Sequence, residues 1–112
     1  MKIGTENKGQ YILITLIGRL DTSNYNELEE VLSKHFLDKK ANIIVDCKDL
    51  DYVSSSGLRI FLYGLKQATM RNGFFHICCL QENIFEVFKI SGFQSIFKIF
   101  STLEDCLIQE KL

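Results

Sequence analysis

Short apolar runs of strand length alternate with amphipathic stretches of helical spacing along this chain, and that alternation is the tightest constraint on its fold. Tyr11-Ile12-Leu13-Ile14-Thr15-Leu16-Ile17 is rich in β-branched and aromatic residues and reads as a strand, entered through a turn at Lys8-Gly9. Residues 2–7 alternate weakly and read as a short edge strand, paired with it as a hairpin. Tyr25, Leu28, Val31, Leu32 and Phe36 then fall at helical spacing, with Asp21 or a following hydroxyl placed to cap that helix. Ile43-Ile44-Val45 marks a short buried strand over residues 41–47, whose exit is made polar by Asp46, Lys48, Asp49 and Asp51.

The second helix is expected over residues 55–71, with Leu58, Phe61, Leu62, Leu65 and Thr69 on its core face and Asn72-Gly73 as its stop. Residues 74–80 read as another buried strand. Ile84, Phe85, Val87, Phe88 and Ile90 form a short helix stopped by Ser91-Gly92, residues 96–100 a last short strand, and residues 102–110 a terminal helix with Leu103, Cys106 and Leu107 inward. Strand and helix alternating in this way imply an α/β fold: a mixed, largely parallel sheet with an N-terminal hairpin strand and about four helices. No proline, repeat or low-complexity segment marks a boundary, so residues 1–112 are expected to form one domain.

Composition narrows the function. Thirteen basic and 14 acidic residues leave a formal net charge of −1, which gives no electrostatic reason to expect a nucleic acid or an anionic membrane as partner. The N-terminal residues lack the apolar core of a signal peptide, and the apolar run from Tyr11 is far too short to span a bilayer, so the expectation is a protein that stays in the cytoplasm without direct membrane insertion. Cys47, Cys78, Cys79 and Cys106 include no C-x-x-C pair, so no metal site is expected and the thiols read as small buried groups. Cys78 and Cys79, adjacent in a strand, would point to opposite faces.

The segment that carries most information is Asp49-Leu50-Asp51-Tyr52-Val53-Ser54-Ser55-Ser56-Gly57-Leu58, at a strand-to-helix junction. One serine suffices to cap the helix, and three are present. A helix N-terminus carries partial positive charge and free N–H donors, so a phosphate on Ser56 would be tolerated there while altering any surface built to meet a neutral serine. Both a cap cluster and a phosphorylation loop satisfy the residues alone.

Leu50-Asp51-Tyr52-Val53-Ser54-Ser55-Ser56-Gly57-Leu58-Arg59 resembles the signature loop of STAS domains, in particular that of anti-sigma-factor antagonists. Gly18-Arg19-Leu20-Asp21 is similar to the family's Gly-x-Leu-Asp element, and Gly73 and Ile90-Ser91-Gly92-Phe93 also fit. The resemblance covers nearly the whole chain. It implies a STAS-like fold and an antagonist whose unphosphorylated form binds an anti-sigma factor that is also a serine kinase using ATP, thereby freeing the sigma factor. It further implies that phosphorylation at Ser56, the serine before Gly57, ends binding, and that a serine phosphatase reverses it. Ser54, Ser55 and Gly57 complete the loop. Many members of the family carry an aspartate where this chain has Ser54. The alternative within the family is a STAS binding subunit of a signalling or transporter assembly that does not switch.

Asp21 is expected near the loop, ordering it, touching the partner or simply capping a helix. Ile60, Tyr63, Gly64 and Gln67 are expected on the outer face of the second helix as a docking strip for the partner. No enzyme is expected and no cofactor: G-x-S-x-G is absent around Ser56, no phosphate-binding G-x-x-x-x-G-K-[ST] occurs, and the only histidines, His35 and His76, read as an exposed helix residue and a structural group in a buried strand.

Overall fold

The computed structural model describes residues 1–37 and 41–112. Its elements are β1 (Lys2–Asn7), β2 (Ile12–Leu20), α1 (Tyr25–His35), β3 (Ile43–Val53), α2 (Ser55–Met70), β4 (Phe75–Cys78), α3 (Glu82–Ile90), a 3₁₀ turn (Phe93–Ser95), β5 (Ile99–Phe100) and α4 (Leu103–Glu110). The sheet runs β1-β2-β3-β4-β5, with β1 antiparallel to β2 and every later pair parallel. The expected architecture is therefore present: a mostly parallel sheet, an N-terminal hairpin strand and four α-helices among the described residues.

Strands placed next to each other in sequence order, each pair joined by a helix, bring successive crossover helices to the same face, because the crossovers share one hand. Alternate residues of β2, β3 and β4 supply that face with Ile14, Leu16, Ile43, Val45, Phe75 and Ile77. Leu28 and Leu32 from α1, Phe61 from α2 and Ile84 and Phe88 from α3 complete the core above them. The opposite face is covered by α4: Leu13, Ile44, Cys78 and Cys106 form a second, smaller cluster.

Several boundaries differ from the sequence reading, each for a physical reason. β3 does not stop at Cys47 but runs to Val53, because β2 continues to pair with it through Leu20↔Val53 after β4 has ended at Asp46↔Cys78. With one neighbour left, its second half tolerates exposed polar side chains while Leu50 and Val53 stay buried. The β2–β3 register shifts twice, between Thr15 and Ile17 and between Gly18 and Arg19. Gly18 has φ +104, which an L side chain rarely adopts, so this glycine carries the second irregularity. The last strand is only Ile99–Phe100, since the 3₁₀ turn occupies the approach to it.

The core face of α2 is rotated by one residue from the expected one. Gly57, Leu58, Ile60, Phe61, Gly64 and Ala68 are buried, whereas Thr69 is exposed and donates its hydroxyl to the Leu65 carbonyl. Two glycines cause the rotation. A Cβ on Gly64 would come within 2.4 Å of the Phe75 ring, and one on Gly57 within 2.7 Å of Val53 and 2.9 Å of Leu20. The helix thus lies on the sheet along a stripe without side chains, where a count of apolar residues places no contact.

That rotation corrects the docking strip. Ile60 is 5% exposed and belongs to the core. Tyr63 is half-buried, its ring edge-on to Phe36 at 6.0 Å and its hydroxyl hydrogen-bonded to Ser33 on α1 at 2.9 Å. Gly64 lies against Phe75, and the Gln67 amide oxygen accepts from Arg71 at 2.7 Å. Of the face expected to meet a partner, Ile60 and Gly64 meet the core and the sheet and Tyr63 meets α1.

Candidate functional site

The C-terminal ends of β2 and β3 converge on the start of α2, and the Ser54 amide donating to the Leu20 carbonyl at 2.9 Å ties the two strand ends together. Ser54 is the N-cap of α2: its hydroxyl accepts from the Gly57 amide at 3.2 Å and its carbonyl accepts from the Leu58 amide at 2.9 Å. The three serines therefore divide. Ser54 completes the helix start, Ser55 is exposed, and Ser56 is half-buried with its hydroxyl turned to other partners. An aspartate at position 54 would cap the helix equally well, so the departure to serine keeps the cap and removes a negative charge.

Ser56 Oγ stands 3.3 Å from the Thr22 hydroxyl and 3.5 Å from the Arg59 guanidinium. Tyr25, Ser56, Arg59 and Ile60 line a shallow depression of about 220 Å³. Arg59 reaches Ser56 because residues three apart are neighbours on a helix surface. Thr22 arrives from the turn before α1.

That turn is organised by Asp21, though not as a helix cap. The N-cap position of α1 is Asn24, whose side chain makes no cap bond and instead accepts from the Asp21 amide at 2.9 Å and donates to the Arg19 carbonyl at 2.8 Å. Asp21 Oδ1 accepts from the Ser23 hydroxyl at 2.6 Å and from its amide at 3.0 Å. These hydrogen bonds, the hydroxyl first, hold the Asp21 carboxyl below its ordinary pKa, and the Arg19 guanidinium 3.8 Å away adds to the effect. Arg19 also lies over the ring of Tyr52 at 4.0 Å, and the two are paired across β2 and β3.

One end of the sheet thus gathers Ser56, Thr22, Arg59, Asp21, Arg19 and the exposed ring of Tyr52. Of the expected residues, the structure brings together Asp21, Ser54, Ser55, Ser56 and Gly57. It places Ile60 beneath them and Tyr63 and Gln67 further along α2, against α1 and the helix end. Sequence reasoning did not single out Thr22, Arg59, Arg19 or Tyr52 as site residues. The three-residue spacing to Ser56 points to Arg59. The others depend on strand register and on a turn 34 residues from Ser56.

The histidines lie apart from this end. His35 is half-buried near the C-terminus of α1. His76 is 6% exposed, pairs with Glu110 of α4 and stacks on Phe74 at 4.4 Å. Neither is placed to activate Ser56. Among the described residues no helix is long and apolar enough to cross a membrane.

The fold and the sequence both have counterparts among known proteins. The STAS domain profile matches residues 2–106. BtrV, a Bordetella bronchiseptica protein whose name assigns it as an anti-sigma factor antagonist, is 33% identical over 104 residues, spanning 93% of this chain and 90% of that protein. The anti-sigma-B factor antagonist of Staphylococcus aureus is 26% identical over 99 residues, covering 88% of this chain and 92% of its own. Among solved structures, a Thermotoga maritima protein assigned as an anti-sigma factor antagonist superposes with a TM-score of 0.90 at 19% identity, covering 98% and 95% of the two chains. The phosphorylated form of the Bacillus protein SpoIIAA superposes at 0.76 with 19% identity, covering 96% and 98%. At such identities the superpositions speak for the fold, while the match over residues 2–106 and the 33% identical relative establish the kinship: this chain belongs to the STAS-domain family.

Proposed function

We propose that this protein is an anti-sigma-factor antagonist, a binding protein rather than an enzyme, that works in the cytoplasm through its Ser56 end. In this reading the unphosphorylated protein binds an anti-sigma factor with serine kinase activity and releases the sigma factor. Phosphorylation of Ser56 ends the interaction, and a serine phosphatase restores it. The names of the relatives support antagonism. The observation that carries the switch is the position of Ser56: partly exposed, in the first turn of α2 but not used as its cap, with Arg59 and Thr22 within 3.5 Å.

A phosphate adds about −1.5 to −2 charge at neutral pH. At Ser56 that charge would meet Arg59, the open amides of the first helical turn and the positive end of the helix dipole. The fold would therefore accept the modification. A partner surface matched to the neutral hydroxyl would have to desolvate the phosphate, and affinity would fall.

The test is intact-mass measurement after incubation with ATP and a kinase of the anti-sigma type from the same cell, alongside Ser56→Ala. A single added phosphate on the wild type and none on the variant is expected. Ser56→Asp should lower partner affinity at least about tenfold, or about 1.4 kcal/mol. Unchanged binding by Ser56→Asp would sink the switch and leave a binding subunit that does not switch.

A further inference from the structure

Where the β3–β4 pairing ends, on the face covered by α4, three chemically active side chains converge. Asp46 and Cys78 are register neighbours on β3 and β4. Their ligand atoms and the Cys79 sulfur all lie within 4.8 Å of one another. Cys78 is buried, and Asp46 and Cys79 are half-exposed, so the cluster opens to solvent on one side.

The convergence runs against strand alternation, which would send Cys78 and Cys79 to opposite faces. β4 ends at Cys78, and Cys79 takes φ +65, a left-handed conformation that lets its thiol join Cys78 and Asp46 instead. The other non-glycine residues with positive φ, Asn72 and Lys111, sit just beyond α2 and at the C-cap of α4, where this conformation commonly ends a helix. Cys79 follows a strand. A left-handed non-glycine residue costs on the order of 1 kcal/mol or more, and burial of a small apolar group does not require it. The Cys79 amide donates to the Phe100 carbonyl at 3.0 Å, which holds the bend in place.

We propose that Asp46, Cys78 and Cys79 form a binding site for a thiophilic divalent cation such as zinc. Two sulfurs and one carboxylate oxygen are a donor set that zinc accepts, and the solvent-open side leaves a fourth position for water or an exogenous ligand. Two sulfurs on one tetrahedral zinc stand about 3.8 Å apart, so ligand atoms already within this range need only a small adjustment. Asp46 Oδ1 accepts from the Lys48 amide at 3.0 Å, which orients the carboxylate and leaves Oδ2 for the cation. Thiols bind a cation as thiolates, so Cys78 and Cys79 would give their protons to solvent as it binds. The cation would join β3 to β4 at the segment leading into α3. Because no partner protein is needed, the site stands or falls apart from the Ser56 switch.

The experiment uses the reduced full chain. Zinc is titrated against a chromophoric chelator, and cobalt is substituted to read the thiolate-to-metal charge-transfer band. Expected are one cation per chain, a cobalt band in the wild type, at least a tenfold loss of zinc affinity in Cys79→Ser, and retention of both signals in Cys106→Ala. Asp46→Asn, which removes a charge and no thiol, should keep a weakened band with lower affinity, and so serves if Cys79→Ser fails to fold. No zinc competition by the wild type, or equal affinity in wild type, Cys79→Ser and Asp46→Asn, would overturn the site.

Discussion

The two faces of the sheet are built on different principles. The face under α1, α2 and α3 is closed by rings and by close backbone approach: Phe61, Phe75, Phe88 and Phe97 form a chain of contacts with centroids 5.8–6.2 Å apart, and Gly57 and Gly64 let α2 settle onto the strands. The face under α4 is held by a short helix, a small cluster containing two cysteines, and one polar pair, His76 with Glu110. The first face fixes the angle at which α2 leaves β3, and with it the position of Ser56. The second secures the C-terminal helix and leaves polar and thiol groups near solvent. The phosphorylation proposed at Ser56 relies on the rigid face beneath it, and this division predicts that α4 loosens without moving Ser56.

The largest effect that would test this division is Phe88→Ala. The ring is fully buried among Phe61, Phe93 and Phe97, and its loss should cost about 3–5 kcal/mol in denaturant unfolding. On the other face, Glu110→Ala leaves His76 buried without its partner and should cost about 1–3 kcal/mol. Its signature should be local: faster amide exchange in α4, with the α2 amides still protected. A Glu110→Ala protein that loses protection in α2 as well would show the two faces to be one cooperative unit and erase the distinction.

Much of this architecture was legible in the sequence because it rests on period. Apolar runs and helical spacing located the five strands and four α-helices of the described residues, and the glycine after Ser56 with the hydroxyls before it marked the candidate site. What was hidden rests on contacts that period does not encode. The stripe of α2 that meets the sheet is centred on Gly57 and Gly64, which register as gaps in an apolar pattern although they make the closest approaches. The second half of β3 looks like a polar loop because only β2 pairs with it. Thr22 and Ser56 lie 34 residues apart, as do His76 and Glu110, and nothing local announces either pair. Cys79 escapes the alternation rule because the strand ends at Cys78, two residues before its apolar run does.

The smallest predicted effect bears on the α2 stripe itself. Tyr63 stands where an outward docking residue was expected, and the structure instead gives its hydroxyl to Ser33 and its ring to Phe36. Tyr63→Phe retains the ring and deletes one partly buried hydrogen bond, so stability should fall by about 1 kcal/mol. Partner affinity should not change, because the ring still packs against α1. The same result is expected of Ser33→Ala, and the double substitution should cost less than the sum of the two, as for residues that share one interaction. Additive losses would separate Tyr63 from Ser33, and weakened partner binding at unchanged stability would return Tyr63 to the surface as a docking residue.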